Sequence, residues 1–125
     1  MTENEISFVV IGNAIKIHKQ LGPGLLESVY ENALAYELKT SGLLVEQQFA
    51  LPMIYNEIKM ECGYRIDLRV ERKLIIEVKS IETLAPVHFA QVLTYLKLSD
   101  CKLGLLINFN TIRLKDGIHR IVNHL

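Results

Sequence analysis

Apolar residues at Ile6, Val9, Val10, Ala14 and Ile17 recur at the spacing of one helix face. Thr2 and Glu5 have the spacing of a capping box at the start of that stretch, so an amphipathic helix is predicted there, ending near Gly22. Lys16, His18 and Lys19 in its last turn suit the negative end of the helix dipole, with phosphate contact as the alternative. After the breaker Gly22-Pro23-Gly24, a second helix is predicted over residues 25–39. Leu26, Val29, Ala33 and Tyr36 form one stripe on it, and Tyr30, Leu34 and Leu38 a neighbouring one headed by Glu27. Glu27 there reads either as a first-turn acid behind an N-cap at Gly24 or as a partly buried functional carboxylate.

Beyond Ser41-Gly42 the pattern changes to strands. Residues 45–50 and 53–62 read as extended, with Pro52 between them and a turn at Asn56-Glu57. Residues 64–80 then read as a hairpin. Ile66, Leu68 and Val70 are expected on one face of its first strand, with Arg65, Asp67 and Arg69 on the other. On the second strand Leu74, Ile76 and Val78 oppose Ile75, Glu77 and Lys79. Directly opposed residues of an antiparallel pair share a face, so Asp67 and Glu77 meet only if paired residue numbers sum to an even value. A three-residue loop, 71–73, closing on Val70 and Leu74 satisfies this, whereas a two-residue turn does not.

A helix is predicted over residues 83–98, with Pro86 in its first turn and Val87, Phe89, Ala90, Leu93 and Leu96 buried. His88, Gln91 and Tyr95 line an adjacent edge that can face the hairpin. Residues 102–109 form a continuous apolar run, as in a strand buried on both faces, and a strand reached through a helix is normally parallel to an earlier one. Residues 111–122 read as a short edge strand, a turn at Asp116-Gly117 and a closing strand, or as a terminal helix from Gly117. The order of elements predicts an α/β sandwich around a mixed sheet.

Composition narrows the function. A chain of 125 residues is one domain by size and buries a real core. A formal charge of +0 excludes the global basic field of a strong nonspecific nucleic-acid binder, leaving only a local basic edge. Half the residues are hydrophobic, which predicts apolar surface spent on a second copy or a partner protein. Cys62 and Cys101 lack metal-type spacing and read as thiols in a reducing compartment. No charged-then-apolar leader and no apolar run near ~20 residues is present, which predicts a cytoplasmic protein without membrane contact.

Asp67, Glu77 and Lys79 read either as a solvated, ion-paired strand face or as the floor of a metal site. Three motifs weigh on that choice. Gly24-Leu-Leu-Glu27-Ser-Val-Tyr30 resembles the naming motif of the GxxExxY family within the PD-(D/E)XK nuclease superfamily. Asp67 followed by Glu77-Val-Lys79 resembles the nuclease signature, and Gln91-Val-Leu-Thr-Tyr95 is similar to the Gln-x-x-x-Tyr element of the RecB-like branch. Together they span most of the chain.

The resemblance implies a restriction-endonuclease-like three-layer sandwich, a mixed sheet flanked by helices, over residues 1–125. It implies a phosphodiester hydrolase using Mg2+ or Mn2+ on nucleic acid, DNA more than RNA. Phosphodiester hydrolysis needs a nucleophilic water, charge neutralisation and help for the departing alkoxide, all of which a hard cation supplies. Glu27, Asp67, Glu77 and the Val78 carbonyl are the expected metal ligands, because such cations take oxygen donors. Lys79 would orient water and stabilise developing charge. Gln91 would position water or phosphate, and Tyr30 and Tyr95 would line or brace the site, unless both rings are simply core. His88, Arg65 and Arg69 are candidate phosphate contacts, with Arg72 and Lys73 extending the basic rim. The alternatives are a noncatalytic nucleic-acid-binding or assembly module on the same fold, and a structural subunit docked on a larger enzyme.

Overall fold

A computed structural model describes residues 1–61 and 63–125. Helix α1 (Glu3–Leu21) starts as expected: Glu5 N–H donates to Thr2 Oγ1 at 3.1 Å, Thr2 N–H to Glu5 Oε1 at 2.8 Å, and Gly22 closes the other end. Helix α2 (Glu27–Thr40) begins later than expected, with Leu26 rather than Gly24 as its cap. Strands β1 (Val45–Ala50), β2 (Met53–Tyr55), β3 (Ile58–Met60), β4 (Arg65–Val70) and β5 (Leu74–Lys79) follow. Helix α3 (Pro86–Ser99), β6 (Leu103–Asn108), a 3-10 turn (Leu114–Gly117) and β7 (Ile118–Val122) complete the described order. Cys62, expected at the end of the strand run, lies outside the described residues.

The main sheet has the order β1-β4-β5-β6-β7, with β5 and β6 parallel and the other neighbours antiparallel. Its α1/α2 face carries the larger cluster, including Ile6, Tyr30, Leu34, Leu68, Ile76 and Phe109. The α3 face carries Ile66, Ile75, Val92, Leu96 and Leu106. This is the three-layer α/β sandwich that the order of elements predicts. Strand β6 is buried along its whole length because it has a strand on each side and helices on both faces. At Gly104 on β6, an added Cβ would come within 2.7 Å of Val92 Cγ1, so glycine lets α3 seat closely on the sheet.

Several faces differ from the sequence pattern. Ile66 packs on the α3 side while Leu68 and Val70 pack on the α1/α2 side, so the three do not share a face. The reason is a paired break in the β1–β4 ladder. The register runs from Val45↔Val70 to Ala50↔Arg65 but omits Gln48 opposite Asp67, and Gln48 has φ +53°. Each strand turns over at that point, moving Phe49 and Ile66 to the α3 layer.

On α2, Leu26, Val29 and Tyr36 are exposed, while Glu31 and Ala35 are buried beside Tyr30, Leu34 and Leu38. Helix α3 buries Val92, Tyr95 and Leu96, leaving Val87 and Ala90 exposed and Leu93 half-buried. Its inner face thus keeps Phe89 and Leu96 from the expected buried set and adds Val92 and Tyr95. A 3-10 turn replaces the short strand expected before Asp116-Gly117, and β7 forms the closing strand instead of a terminal helix. No helix among the described residues is long and apolar enough to cross a membrane.

Candidate active site

The hairpin of β4 and β5 pairs Val70 with Leu74 and Leu68 with Ile76, an even register closed by residues 71–73. Asp67 and Glu77 are the next opposed residues, and there the ladder opens. Asp67 N–H donates to Glu77 Oε1 at 3.1 Å, and Val78 N–H donates to Asp67 Oδ2 at 2.9 Å. The two carboxylates therefore replace the backbone bonds the ladder would otherwise make. Glu77 is buried, at 5% exposure, and Asp67 is half-buried.

Electrostatics follow from that burial. Desolvation, with the neighbouring Glu31 charge, raises the Asp67 pKa to about 6 against the pull of the Val78 N–H. Desolvation raises Glu77 to about 8, with the Asp67 charge adding to it and Lys79 opposing it. Lys79 continues the face of Ile75 and Glu77 and forms no ion pair among the described residues.

Glu31 enters from the opposite layer. Gln48 Nε2 donates to Glu31 Oε1 at 2.7 Å and to Asp67 Oδ1 at 3.2 Å, while Gln47 Nε2 donates to Glu31 Oε2 at 2.7 Å. The turnover at Gln48 is what brings its amide to both acids. Sequence reasoning missed Glu31, although it lies three residues before Leu34 and seven before Leu38, on the stripe that is buried. Glu27 stands elsewhere: its Oε2 accepts from Ser80 N–H at 3.4 Å, in an open cleft with Leu25, Leu26, Ser28 and Asn110. That cleft, about 520 Å³, adjoins the end of β5.

From the α3 side, Tyr95 stands within the field of both carboxylates. Burial raises its hydroxyl pKa to about 12, Glu77, Tyr64 and Asp67 add to the rise, and a hydrogen bond with Gln91 opposes it. Gln91 is thereby placed beside Tyr95. The Tyr64 and Tyr95 rings meet edge-on with centroids 6.4 Å apart. Tyr64 was also missed, because a single aromatic before a strand carries no pattern of its own.

The remaining candidates have structural duties. Tyr30 stacks on Phe109 at 4.5 Å, donates to Gly22 O at 2.6 Å and accepts from Leu25 N–H at 3.1 Å, clamping the turn that leads into α2. His88 Nδ1 accepts from Ala85 N–H at 2.9 Å at the start of α3. Arg69 forms a two-pronged pair with Glu46, at 2.8 and 3.0 Å, and lies over the Phe49 ring at 3.9 Å. Lys73 donates to Met1 O at 2.6 Å. Arg72 and Lys73 sit at the loop end of the hairpin, away from Asp67 and Glu77. Of the basic rim expected from sequence, Arg69 is therefore taken up by Glu46, while Arg65, exposed and bonded only to Gln48 O at 3.2 Å among the described residues, lies two positions from Asp67.

The donor set fits a hard divalent cation. Two carboxylates face each other across the opened ladder, and Glu77 Oε2 accepts no hydrogen bond from the described residues. A strand residue projects its N–H and C=O to the same side, so the Val78 carbonyl points to the edge where its N–H meets Asp67. No ready-made group of three or more His, Cys, Asp and Glu ligands occurs among the described residues. Mg2+ needs no such cage, since it is commonly held by one or two carboxylates and keeps several waters.

The model of the PD-(D/E)XK nuclease superfamily matches residues 4–121. The chain belongs to that superfamily, and its mixed sheet flanked by helices is the restriction-endonuclease-like fold. Nucleases of this class generally use divalent metal ions. No curated protein and no solved structure matches the chain.

Proposed function

We propose that this chain is a metal-dependent nuclease that hydrolyses phosphodiester bonds, in DNA rather than RNA. The observation that carries the reading is the opposition of Asp67 and Glu77 across an opened ladder, with Lys79 next on the Glu77 face. The spacing of Gly24, Glu27 and Tyr30 supports placement in the GxxExxY group, and Gln91 and Tyr95 support its RecB-like branch. The whole chain, residues 1–125, then acts as one domain. A cytoplasmic setting accords with Cys101, a free and buried thiol.

Asp67, Glu77 and the Val78 carbonyl would hold Mg2+ or Mn2+, with Glu27 reached through water and Glu31 supporting Asp67. The bound cation supplies charge neutralisation at the phosphate and lowers the proton affinity of water. Lys79 orients the attacking water and stabilises the negative charge that builds on the phosphoryl oxygens. Gln91 positions water or phosphate, and Tyr95 braces the carboxylates through the α3 layer. Tyr30 acts indirectly, by fixing the turn before Glu27. His88 Nε2 and Arg65 serve as outer phosphate contacts.

A titration of Mg2+ and Mn2+ against single- and double-stranded DNA and RNA tests the reading. Metal-dependent cleavage lost in Glu77→Ala and Lys79→Ala is expected; undiminished cleavage by both variants removes the mechanism. A second reading, a noncatalytic binding or assembly module, draws on the zero net charge and the pairing of Arg69 with Glu46. Its signature is binding without turnover. Exposed Phe8, Leu26 and Ile112 offer apolar surface for a second copy or a partner protein in either case.

A further inference from the structure

A pocket of about 270 Å³ opens between Tyr64 and helix α3, lined by Met53, Tyr64, Val87, Ala90, Gln91, Thr94 and Tyr95. Its composition is distinct from that of the catalytic face: two tyrosine rings and the apolar side chains of Met53, Val87 and Ala90, with the Gln91 amide and the hydroxyls of Thr94 and both tyrosines. Tyr64 stands at its edge, 42% exposed, with its ring meeting Tyr95. The Tyr64 backbone is held, because Leu51 N–H donates to its carbonyl at 3.0 Å, and Tyr64 lies three residues before Asp67. Gln91 and Tyr95 are shared between the pocket and the proposed catalytic site. A flat, partly polar group in the pocket would thus lie next to a phosphate at Asp67, Glu77 and Lys79.

We infer that this pocket receives one unpaired nucleobase adjoining the scissile phosphate, so that the substrate is single-stranded DNA or an unpaired end of a duplex. The inference rests on the nuclease reading and names the substrate class for that site. An aromatic ring exposed beside an amide and a hydroxyl offers a stacking surface with hydrogen-bonding partners, which suits a base and not a sugar-phosphate backbone. A base inside a duplex is stacked on its neighbours and cannot enter without being extruded. Charge points the same way. Duplex binding draws its affinity from many phosphate contacts, yet the chain has a formal net charge of +0, Arg69 is paired with Glu46, and Lys73 is bound to Met1. Stacking supplies affinity that a chain of zero net charge does not draw from phosphate contacts.

The test uses the full chain in chelator, where no cleavage confuses binding, and a short single-stranded DNA carrying the fluorescent base 2-aminopurine. Quenching on binding is expected, with the same sequence as duplex bound more weakly. Tyr64→Ala should weaken single-strand binding on the order of tenfold, and Tyr64→Phe, which keeps the ring, should restore it and show that the fold is intact. Equal affinity for duplex and single strand, or a Tyr64→Ala variant that binds like the parent, overturns the inference. A parallel cleavage assay with Mn2+ separates the two readings: base binding without cleavage removes only the nuclease, and cleavage without discrimination by Tyr64 removes only the base pocket.

Discussion

Asp67 and Glu77 exchange roles across the hairpin: Asp67 Oδ2 accepts the N–H of Val78, the residue after Glu77, while Glu77 Oε1 accepts the N–H of Asp67 itself. Each carboxylate is pinned by the other strand. The pinning holds two acids together where water is largely excluded, and it sets the consequences of changing either one.

Replacing Glu77 with glutamine keeps the shape but removes one of two repelling charges. Glu77→Gln is expected to abolish metal-dependent cleavage and, in chelator at pH 8, to melt at or above the temperature of the parent chain. Thermal melts monitored by circular dichroism check the second half. A large fall in melting temperature would show that the charge on Glu77 supports the fold.

The raised proton affinities make stability depend on pH in a stated direction. With Asp67 at about 6 and Glu77 at about 8 in the folded chain, against ordinary values of 3.8 and 4.5, the folded state holds more protons than the unfolded state between those limits. Stability of the metal-free protein should therefore be greatest below about pH 4, as far as these two groups decide it, and fall from there as pH rises to about 8. Saturating Mn2+ should flatten or reverse the slope by binding the ionised pair. Melting temperatures across that window, with and without chelator, measure it; a metal-free slope that rises would contradict the assignment.

The two helix carboxylates should separate in a binding experiment. Glu31 supports Asp67 through Gln48, so Glu31→Gln is expected to weaken Mn2+ affinity by about 10- to 100-fold. Glu27 stands at Ser80 in the open cleft, so Glu27→Gln should change affinity less. Calorimetric titration of Mn2+ into both variants decides the order.

The arginines should also divide. Arg69→Ala breaks a two-pronged, half-buried pair with Glu46 and a stack on Phe49, and should cost about 2 kcal/mol in urea unfolding. Arg65→Ala should leave stability nearly unchanged while lowering the salt dependence of DNA binding by about one phosphate contact. The reverse pattern would place Arg69 on the substrate.

Gly104→Ala should act on the site from a distance. The added methyl would meet Val92 Cγ1 at 2.7 Å, so α3 must shift or Val92 must leave its rotamer. A destabilisation of about 1–3 kcal/mol is expected, with reduced turnover because Gln91 and Tyr95 ride on the same helix. Full activity together with unchanged stability would show that α3 is free to move.

Local pattern alone was enough for most of the elements and for the hairpin register, though not for the start of α2 or the 3-10 turn before β7. The capping box at Thr2 and Glu5, the extent of β1, the loop at 71–73 and the parallel placement of β6 all follow from contacts a few residues apart or from the twist that governs crossovers. Because register follows from loop length, the opposition of Asp67 to Glu77 was legible in the chain. The third acid was not. Glu31 is buried because Gln47 and Gln48 satisfy it from β1, a strand that ordinary alternation would present differently.

Only the tertiary structure decided which faces look inward. Ile66 and Leu68 satisfy the alternation rule in sequence, yet the joint turnover of β1 and β4 at Gln48 and Asp67 sends them to opposite layers. On α3 the apolar residues nearly encircle the helix, so periodicity offers several inner faces, and close packing of Val92 and Leu96 over Gly104 selects one. Periodicity reports what a single element can bury. Which side it does bury, and which polar groups are carried inward with it, depends on partners supplied by distant parts of the chain.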